Sequence, residues 1–149
     1  MQYFAYTQKE FVYKYIVMLC DVDQFEHMSF ANYLKLMFLA ADALLISCCS
    51  PNFLSDYRLK LTNARMQFKK QTTAGSHILI KVNSAQIDDS RFSLLFTFII
   101  EGSGELVGLG RQVYEMALKN QESVQRLTEN IRNLLGPIRV NEKNLLYKY

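Results

Sequence analysis

The stretch from Phe30 to Cys49 constrains the fold more than any other part of the sequence, because almost every residue in it is apolar or small. Lys35 and Asp42 interrupt it, whereas a membrane-spanning helix needs ~20 residues with almost no charge. Its apolar residues recur at helical spacing, which predicts a helix over residues 30–47 that is buried on most sides. Residues 50–52, Ser-Pro-Asn, are suited to end this helix.

Five other stretches have the alternation or the β-branched and aromatic content that is typical of strands. They cover residues 10–20, 62–70, 77–87, 91–100 and 105–117. Short polar turns separate the last four stretches, which indicates an antiparallel sheet. The turns cover residues 71–76, 88–90 and 102–104. In the last strand, Gly108 and Gly110 indicate a bend or the close approach of another element.

A second amphipathic helix is predicted over residues 121–135, where Gly136-Pro137 ends it. We expect a single domain over residues 1–137 and a basic C-terminal tail over residues 138–149. The first predicted helix is too hydrophobic to lie on a surface. The expected fold is therefore α+β, with a curved antiparallel sheet wrapped around a long apolar central helix.

Charge and cysteine content exclude several classes of function. The chain has 17 basic and 14 acidic residues, and this mild excess does not indicate nucleic-acid binding. Cys20, Cys48 and Cys49 form neither a disulfide framework nor a zinc pattern, so we expect reduced, buried thiols in a cytoplasmic protein. The first residues lack the pattern of a signal peptide.

The polar segment 21–29 holds the residues best suited to catalysis. Asp23 lies six residues before Ser29, which is suited to cap the helix start. The backbone N–H groups of Phe30 to Asn32 would then be free to stabilise a developing negative oxygen, with help from the helix dipole. A carboxylate beside such a helix start can supply the activated oxygen that thioester hydrolysis needs.

Three neighbours of Asp23 carry other titratable groups. His27 is a candidate for acid–base chemistry, although a histidine near a helix start is more often a structural hydrogen-bonding group. Glu26 could compete with Asp23 for the catalytic role or be a solvated loop charge. Asp21 is expected to be structural.

The element order resembles the hotdog fold, and segment 21–36 resembles the 4-hydroxybenzoyl-CoA thioesterase family. The matching residues are Asp21-Val22-Asp23, Phe25, His27 and Asn32-Tyr33-Leu34. The resemblance implies that Asp23 is the catalytic carboxylate, either as nucleophile or as general base. Glu26 departs from the family, which usually has a glycine there, and the turn 72–76 keeps only the glycine of the usual Pro…Gly-Asp pattern.

Other residues are candidates for binding a thioester substrate, either in its acyl pocket or at its phosphates. The pocket candidates are Ser29, Asn32 and Tyr33, and the phosphate-binding candidates are Lys69, Lys70 and Arg111. Core packing is the alternative for the aromatic and amide side chains, and solvated charge is the alternative for the cations. No metal-ligand cluster or glycine-rich phosphate loop is present. The expected coenzyme A or phosphopantetheine is therefore part of the substrate, and we expect no cofactor.

The segment Gly104 to Met116 resembles the last strand of hotdog thioesterases of polyketide assembly lines, so an acyl carrier protein is an alternative carrier. That subgroup commonly has asparagine in place of Asp23 and an arginine in place of Leu39, which favours the carboxylate mechanism here. Hotdog dehydratases and hydratases pair Asp and His at a spacing of five, whereas His27 follows Asp23 by four. This mismatch argues against a dehydratase or hydratase activity.

A non-catalytic acyl-binding protein on the same fold remains an alternative, because fold does not dictate function. The resemblance also implies a homodimer or homotetramer whose pocket forms between protomers. A single wrapped sheet would otherwise leave a long edge strand exposed. We expect no nucleic acid and no membrane span.

Overall fold

A computed structural model describes residues 10–47, 57–119 and 123–143, together with the backbone of residues 2–6. Its centre is one six-stranded antiparallel sheet packed against a helix. The strands are β1 (Gln2–Tyr6), β2 (Phe11–Ile16), β3 (Tyr57–Phe68), β4 (His77–Ile87), β5 (Arg91–Ile100) and β6 (Leu106–Leu118). Their order in the sheet is β1-β2-β4-β5-β6-β3, so β3 forms one edge.

The five predicted strands correspond to β2–β6, and β4 and β5 have the predicted boundaries. The first predicted strand was too long, because β2 ends at Ile16 and a 3-10 turn follows at Leu19–Asp21. That turn forms because the Asp21 carboxylate accepts the Met18 N–H at 2.8 Å. Strand β1 was missed, although the aromatic residues of segment 2–6 are suited to a strand. Strand β3 begins at residue 57 rather than 62.

Helix α1 (Phe30–Ile46) has 17 residues and is roughly 25 Å long, so it is of moderate length rather than long. Its buried face includes Tyr33, Met37 and Leu44. A Cβ atom at Gly110 of β6 would collide with the Met37 Sδ atom, which confirms the predicted close approach at this glycine. The sheet face that contacts α1 is called the inner face below. Within the described residues, no helix is long and apolar enough to cross a membrane.

The second predicted helix is much shorter than expected. Helix α2 (Glu129–Leu135) begins where the Thr128 Oγ1 atom accepts the Ile131 N–H at 3.4 Å. Residues before it bond to the sheet instead, because the Gln125 N–H donates to the Met116 carbonyl oxygen at 2.9 Å. Val124, which belongs to the apolar spacing of the predicted helix, is half exposed.

The packed domain continues beyond the predicted boundary at residue 137. The Ile138 side chain is fully buried, and the Val140 N–H donates to the Ser84 carbonyl oxygen at 2.8 Å. Cys20 is an exposed free thiol, so the prediction of a buried one was wrong. The remaining predicted features lie outside the described residues. They are Cys48, Cys49, the helix stop at 50–52 and the end of the tail at 144–149.

Candidate active site

The loop that precedes α1 is bonded to the turn between β3 and β4. The Met28 N–H donates to the Thr72 carbonyl oxygen at 2.9 Å, and the Tyr33 hydroxyl bonds to the Thr72 Oγ1 atom at 2.7 Å. The Gly75 N–H donates to the Val17 carbonyl oxygen at 2.8 Å. These contacts fix the start of α1 against the end of the sheet.

Asp21 supports this loop from inside. Its buried carboxylate accepts the Tyr15 hydroxyl at 2.7 Å as well as the Met18 N–H. Burial, reinforced by the hydrogen bond to Asp21, raises the pKa of Tyr15. The Asp21 carbonyl oxygen also accepts the side-chain amide of Asn32 at 2.5 Å. Asn32 is therefore turned back onto the loop and is not brought to the pocket that the sequence predicted for it.

Asp23 lies on the exposed side of the same loop. Its Oδ1 atom accepts the Phe25 N–H at 2.8 Å and the His27 N–H at 3.3 Å. Its Oδ2 atom has no hydrogen-bond partner among the described residues. One oxygen therefore anchors and orients the carboxylate, and the other is open to solvent or substrate.

Glu26 adopts a left-handed backbone with φ of 64°. This conformation costs a residue with a Cβ roughly 1–2 kcal/mol, whereas glycine adopts it freely. The requirement for this conformation explains why a glycine is usual here in the family that the sequence resembles. The Glu26 side chain is exposed, and its N–H donates to the Asp23 carbonyl oxygen at 3.0 Å.

The backbone amides at the start of α1 differ from the prediction at one position. The Asn32 N–H is used by the helix cap, because it points to the Ser29 carbonyl oxygen at 3.1 Å and to Ser29 Oγ at 3.4 Å. This confirms Ser29 as the N-cap and removes Asn32 as an oxyanion donor. The N–H groups of Phe30 and Ala31 have no partner among the described residues.

Aromatic rings lie in the loop that precedes α1 and beside the start of the helix. Phe25 and Phe30 are 69% and 53% exposed, which is unusual for side chains of this size. The ring of Phe68, at the end of β3, contacts Phe30 edge-to-face at 5.2 Å and Tyr33 at 4.8 Å. The sequence predicted a strand at Phe68 but not its place beside α1, which depends on the order of strands in the sheet. Tyr33 itself is a core residue, and burial raises its pKa.

The predicted cations separate into two places. Lys69 and Lys70 follow β3 near the Asp23 loop, where Lys70 pairs with Glu105 and Lys69 has no ion pair among the described residues. Arg111 follows Gly110 in β6 and therefore points to the outer face of the sheet. It contacts Ser93 at 3.0 Å and Glu142 at 3.3 Å there, so the structure does not bring it to Asp23.

The comparisons with known proteins agree with this architecture. A family model described as the thioesterase-like superfamily matches residues 17–126, which is more than half of the chain. No curated protein sequence matches the chain.

Several solved structures share the fold at low sequence identity. A 1,4-dihydroxy-2-naphthoyl-CoA thioesterase from Synechocystis has a TM-score of 0.78 and 19% identity, over 85% of this chain and 96% of that one. A gentisyl-coenzyme A thioesterase has a TM-score of 0.73 and 22% identity, over 83% and 98%. A Staphylococcus aureus protein solved in complex with CoA has a TM-score of 0.80 and 16% identity, over 90% and 86%. These similarities confirm the predicted hotdog fold.

Proposed function

The chain belongs to the thioesterase-like superfamily, and we propose that it hydrolyses acyl-CoA thioesters with Asp23 as the catalytic carboxylate. One observation carries this proposal. The free Oδ2 atom of Asp23 lies in the loop that leads into α1, whose first two N–H groups are also unpaired among the described residues. An activated oxygen and two donors for an oxyanion are the two requirements of thioester hydrolysis.

The reaction can follow two routes that use the same oxygen. As a general base, Asp23 takes a proton from a water whose oxygen attacks the thioester carbonyl carbon. The tetrahedral oxyanion forms beside the amides of Phe30 and Ala31, then collapses, and the carbon–sulfur bond breaks. The departing thiolate takes the proton, which yields a carboxylic acid and free CoA. As a nucleophile, Asp23 itself attacks, expels the thiolate and forms an acyl anhydride that water then hydrolyses.

His27 and Glu26 have supporting roles in this proposal. The backbone of His27 closes the loop, since its N–H donates to Asp23 and its carbonyl oxygen accepts the Asp23 N–H at 2.9 Å. Glu26 points a second carboxylate to solvent beside the site. We assign neither side chain to the transfer of the proton.

Coenzyme A is the proposed carrier because Lys69 and Lys70 follow Phe68, whose ring contacts Phe30 at the start of α1. Lys69 is suited to pair with a phosphate, and the exposed ring of Phe30 is suited to cover the pantetheine arm. The structural neighbour from Staphylococcus aureus was solved with CoA bound, which supports this choice. An acyl carrier protein substrate is the alternative outcome of the assay below.

A homodimer is proposed through strand β3. This edge strand has 12 residues, and exposed apolar side chains flank it on α1 and at its own end. These side chains are Phe30, Phe38, Ile46 and Phe68. Two β3 strands paired antiparallel about a twofold axis would cover them and extend the sheet. Light scattering after size-exclusion chromatography would distinguish a dimer from a tetramer.

A thiol-release assay tests the function. Wild type and Asp23→Asn are compared on a panel of aliphatic and aromatic acyl-CoA and acyl-carrier substrates, with Glu26→Gln as the matched control. We expect release from CoA substrates that Asp23→Asn abolishes and Glu26→Gln retains. Absence of release from every substrate would favour an acyl-binding protein. After turnover in H2¹⁸O, ¹⁸O in the Asp23 side chain would establish the nucleophilic route, because a general base forms no bond to the water oxygen.

A further inference from the structure

A cavity of about 330 Å³ lies on the outer face of the sheet, where strands β3, β6 and β5 run side by side. Arg65, Arg111 and Leu95 are cross-strand neighbours in these three strands, so their side chains share this face. Glu142, from the segment that follows α2, also lines the cavity. The Asp23 loop contributes none of the described lining residues, so this outer-face cavity is separate from the candidate active site.

Two arginines face one another in the outer-face cavity. Arg65 and Arg111 are directly opposite in the register of β3 and β6, and like charges in this position repel each other. The Arg65 side chain is exposed and has no hydrogen bond or ion pair among the described residues. An anion that binds between the two guanidinium groups would therefore relieve their repulsion and give Arg65 a partner.

The guanidinium of Arg111 is held in place but only partly satisfied. One of its terminal nitrogens, Nη2, donates to the Gln86 Oε1 atom at 3.2 Å and to the Ser93 Oγ atom at 3.0 Å. Its Nε atom is buried and makes no hydrogen bond among the described residues, although the Glu142 Oε1 atom is 3.3 Å away. A buried donor without an acceptor is costly and points to a further partner. Arg111 is thus fixed with a donor left over.

Glu142 shows which chemistry this guanidinium accepts. Its carboxylate forms the ion pair with Arg111 but does not satisfy the Nε atom, so it is an imperfect occupant of the cavity. The segment that carries Glu142 is bonded to the sheet before this residue, where the Val140 N–H donates to the Ser84 carbonyl oxygen at 2.8 Å. The partly exposed Glu142 side chain can therefore leave the cavity while the bond at Val140 stays intact.

The surroundings of Glu142 carry further positive charge. A second cavity, of about 570 Å³, shares Glu142 with the first and is lined by Arg139 and Lys143. The side chains of these two cations form no ion pair among the described residues. The described lining residues of both cavities together include four cations, and Glu142 is the only carboxylate among them. Such an excess of one sign raises the local concentration of an anionic ligand.

We propose that the outer-face cavity binds an organic carboxylate with an apolar tail, in competition with Glu142. The ligand carboxylate accepts hydrogen bonds from Arg65 and Arg111, because its planar pair of oxygens matches the guanidinium fork. The tail lies against Leu95 and Leu109, which line the same cavity. The cavity is mainly apolar and its volume is within the usual range for a small-molecule pocket. This inference does not depend on thioester hydrolysis.

Titration calorimetry with hexanoate and its neutral analogue hexanamide tests the site. We expect the intact protein to bind hexanoate roughly tenfold more tightly than hexanamide, because the carboxylate adds charge-assisted hydrogen bonds. Glu142→Gln removes the internal competitor, so hexanoate should bind this variant roughly fivefold more tightly than wild type. Arg65→Gln and Arg111→Gln should each lower the affinity for hexanoate about tenfold and leave the affinity for hexanamide unchanged. Thermal melts exclude loss of fold in each variant.

Glu115→Gln is the matched control for loss of a carboxylate. Glu115 pairs with Arg91 at 2.6 Å, lies four residues after Arg111 on the same sheet face, and is not among the lining residues of either cavity. Its variant should bind hexanoate as wild type does, and so should Asp23→Asn.

Five results would overturn the proposal. Equal affinity of wild type for hexanoate and hexanamide, or an unchanged hexanoate affinity in both arginine variants, would remove the carboxylate site. Hexanoate binding that Glu142→Gln weakens would show that Glu142 is not a competitor. A changed affinity in Asp23→Asn would locate the ligand at the candidate active site instead. Tighter binding of inorganic phosphate than of hexanoate would contradict the assignment to carboxylates.

Discussion

An aspartate lies near each end of helix α1, and the two are held in opposite ways. Asp23 is exposed, and the N–H groups of Phe25 and His27 anchor one of its oxygens. Asp42 keeps contact with solvent but lines a mainly apolar pocket, where partial burial raises its pKa. The first environment suits a carboxylate that meets water. The second disfavours the ionised form of the carboxylate, because apolar neighbours replace part of its water. The difference favours Asp23 over Asp42 as the carboxylate of the proposed chemistry.

Removal of the Asp23 charge is the most direct test of the difference between the two aspartates. We expect Asp23→Asn to lower kcat/KM on any hydrolysed acyl-CoA by about 10³-fold, the usual scale for loss of a positioned base or nucleophile. Its thermal stability should change little, since the asparagine oxygen can still accept the amides of Phe25 and His27. Steady-state kinetics and a thermal melt measure the two effects. Equal activity of Asp23→Asn and wild type would remove Asp23 from the chemistry.

Asp21 can be compared directly with Asp23, because both lie in the same loop and Asp21 has a structural environment. Asp21→Ala leaves the Tyr15 hydroxyl and the Met18 N–H without their acceptor, so we expect a loss of about 2–4 kcal/mol of unfolding free energy. Asp23→Ala, whose bonds are exposed, should lose only about 1 kcal/mol. Urea unfolding measures both. A larger loss at Asp23 than at Asp21 would reverse the assignment of roles.

The sequence predicted the sheet well because its signals there are local. Period-two alternation and the polar turns at 88–90 and 102–104 depend on neighbouring residues, and β4 and β5 have the predicted boundaries. The predicted helix over 121–135 was too long because backbone bonds to distant residues prevailed over the apolar spacing before Thr128. The Leu127 N–H donates to the Asp89 carbonyl oxygen at 2.7 Å, and the helix starts only after Thr128.

The candidate site was predictable only in part, for the same reason. The spacing from Asp23 to Ser29 located the loop and the helix cap, which are features of one short segment. The outward position of Arg111 depends on strand register, and the inward turn of the Asn32 side chain depends on the loop geometry. In the sequence, Asp42 is only a charge that interrupts an apolar helix. Its position in a pocket lined by β3 and β6 depends on tertiary packing.

The left-handed residue in the Asp23 loop offers a smaller test. We expect Glu26→Gly to raise the unfolding free energy by about 0.5–1 kcal/mol, because glycine relieves the conformational cost at φ 64° but loses more entropy on folding. Glu26→Ala removes the same charge and keeps the Cβ atom, so it should give no such gain. Urea unfolding of the two variants separates backbone strain from charge. Equal stability of both variants would mean that the strain contributes nothing measurable.

The smallest expected effect concerns the other end of α1, where pH tests the partial burial of Asp42, whose side chain keeps contact with solvent. Its pKa in the folded protein is higher than the usual 3.8, so the folded state binds this proton more tightly than the unfolded chain does. Stability from this group is fully present below pH 3.8 and declines as pH rises through the folded pKa. Asp42→Asn cannot ionise, so its urea midpoint should match wild type at low pH and exceed it at neutral pH.

Salt identifies the cause of that pH-dependent difference. Desolvation by burial is the cause of the raised pKa, and screening by 1 M NaCl acts on charge–charge interactions rather than on burial. The stability difference between wild type and Asp42→Asn at neutral pH should therefore persist in high salt. If the difference disappears, neighbouring charges rather than burial control the pKa of Asp42. Partial burial would then not distinguish Asp42 from Asp23.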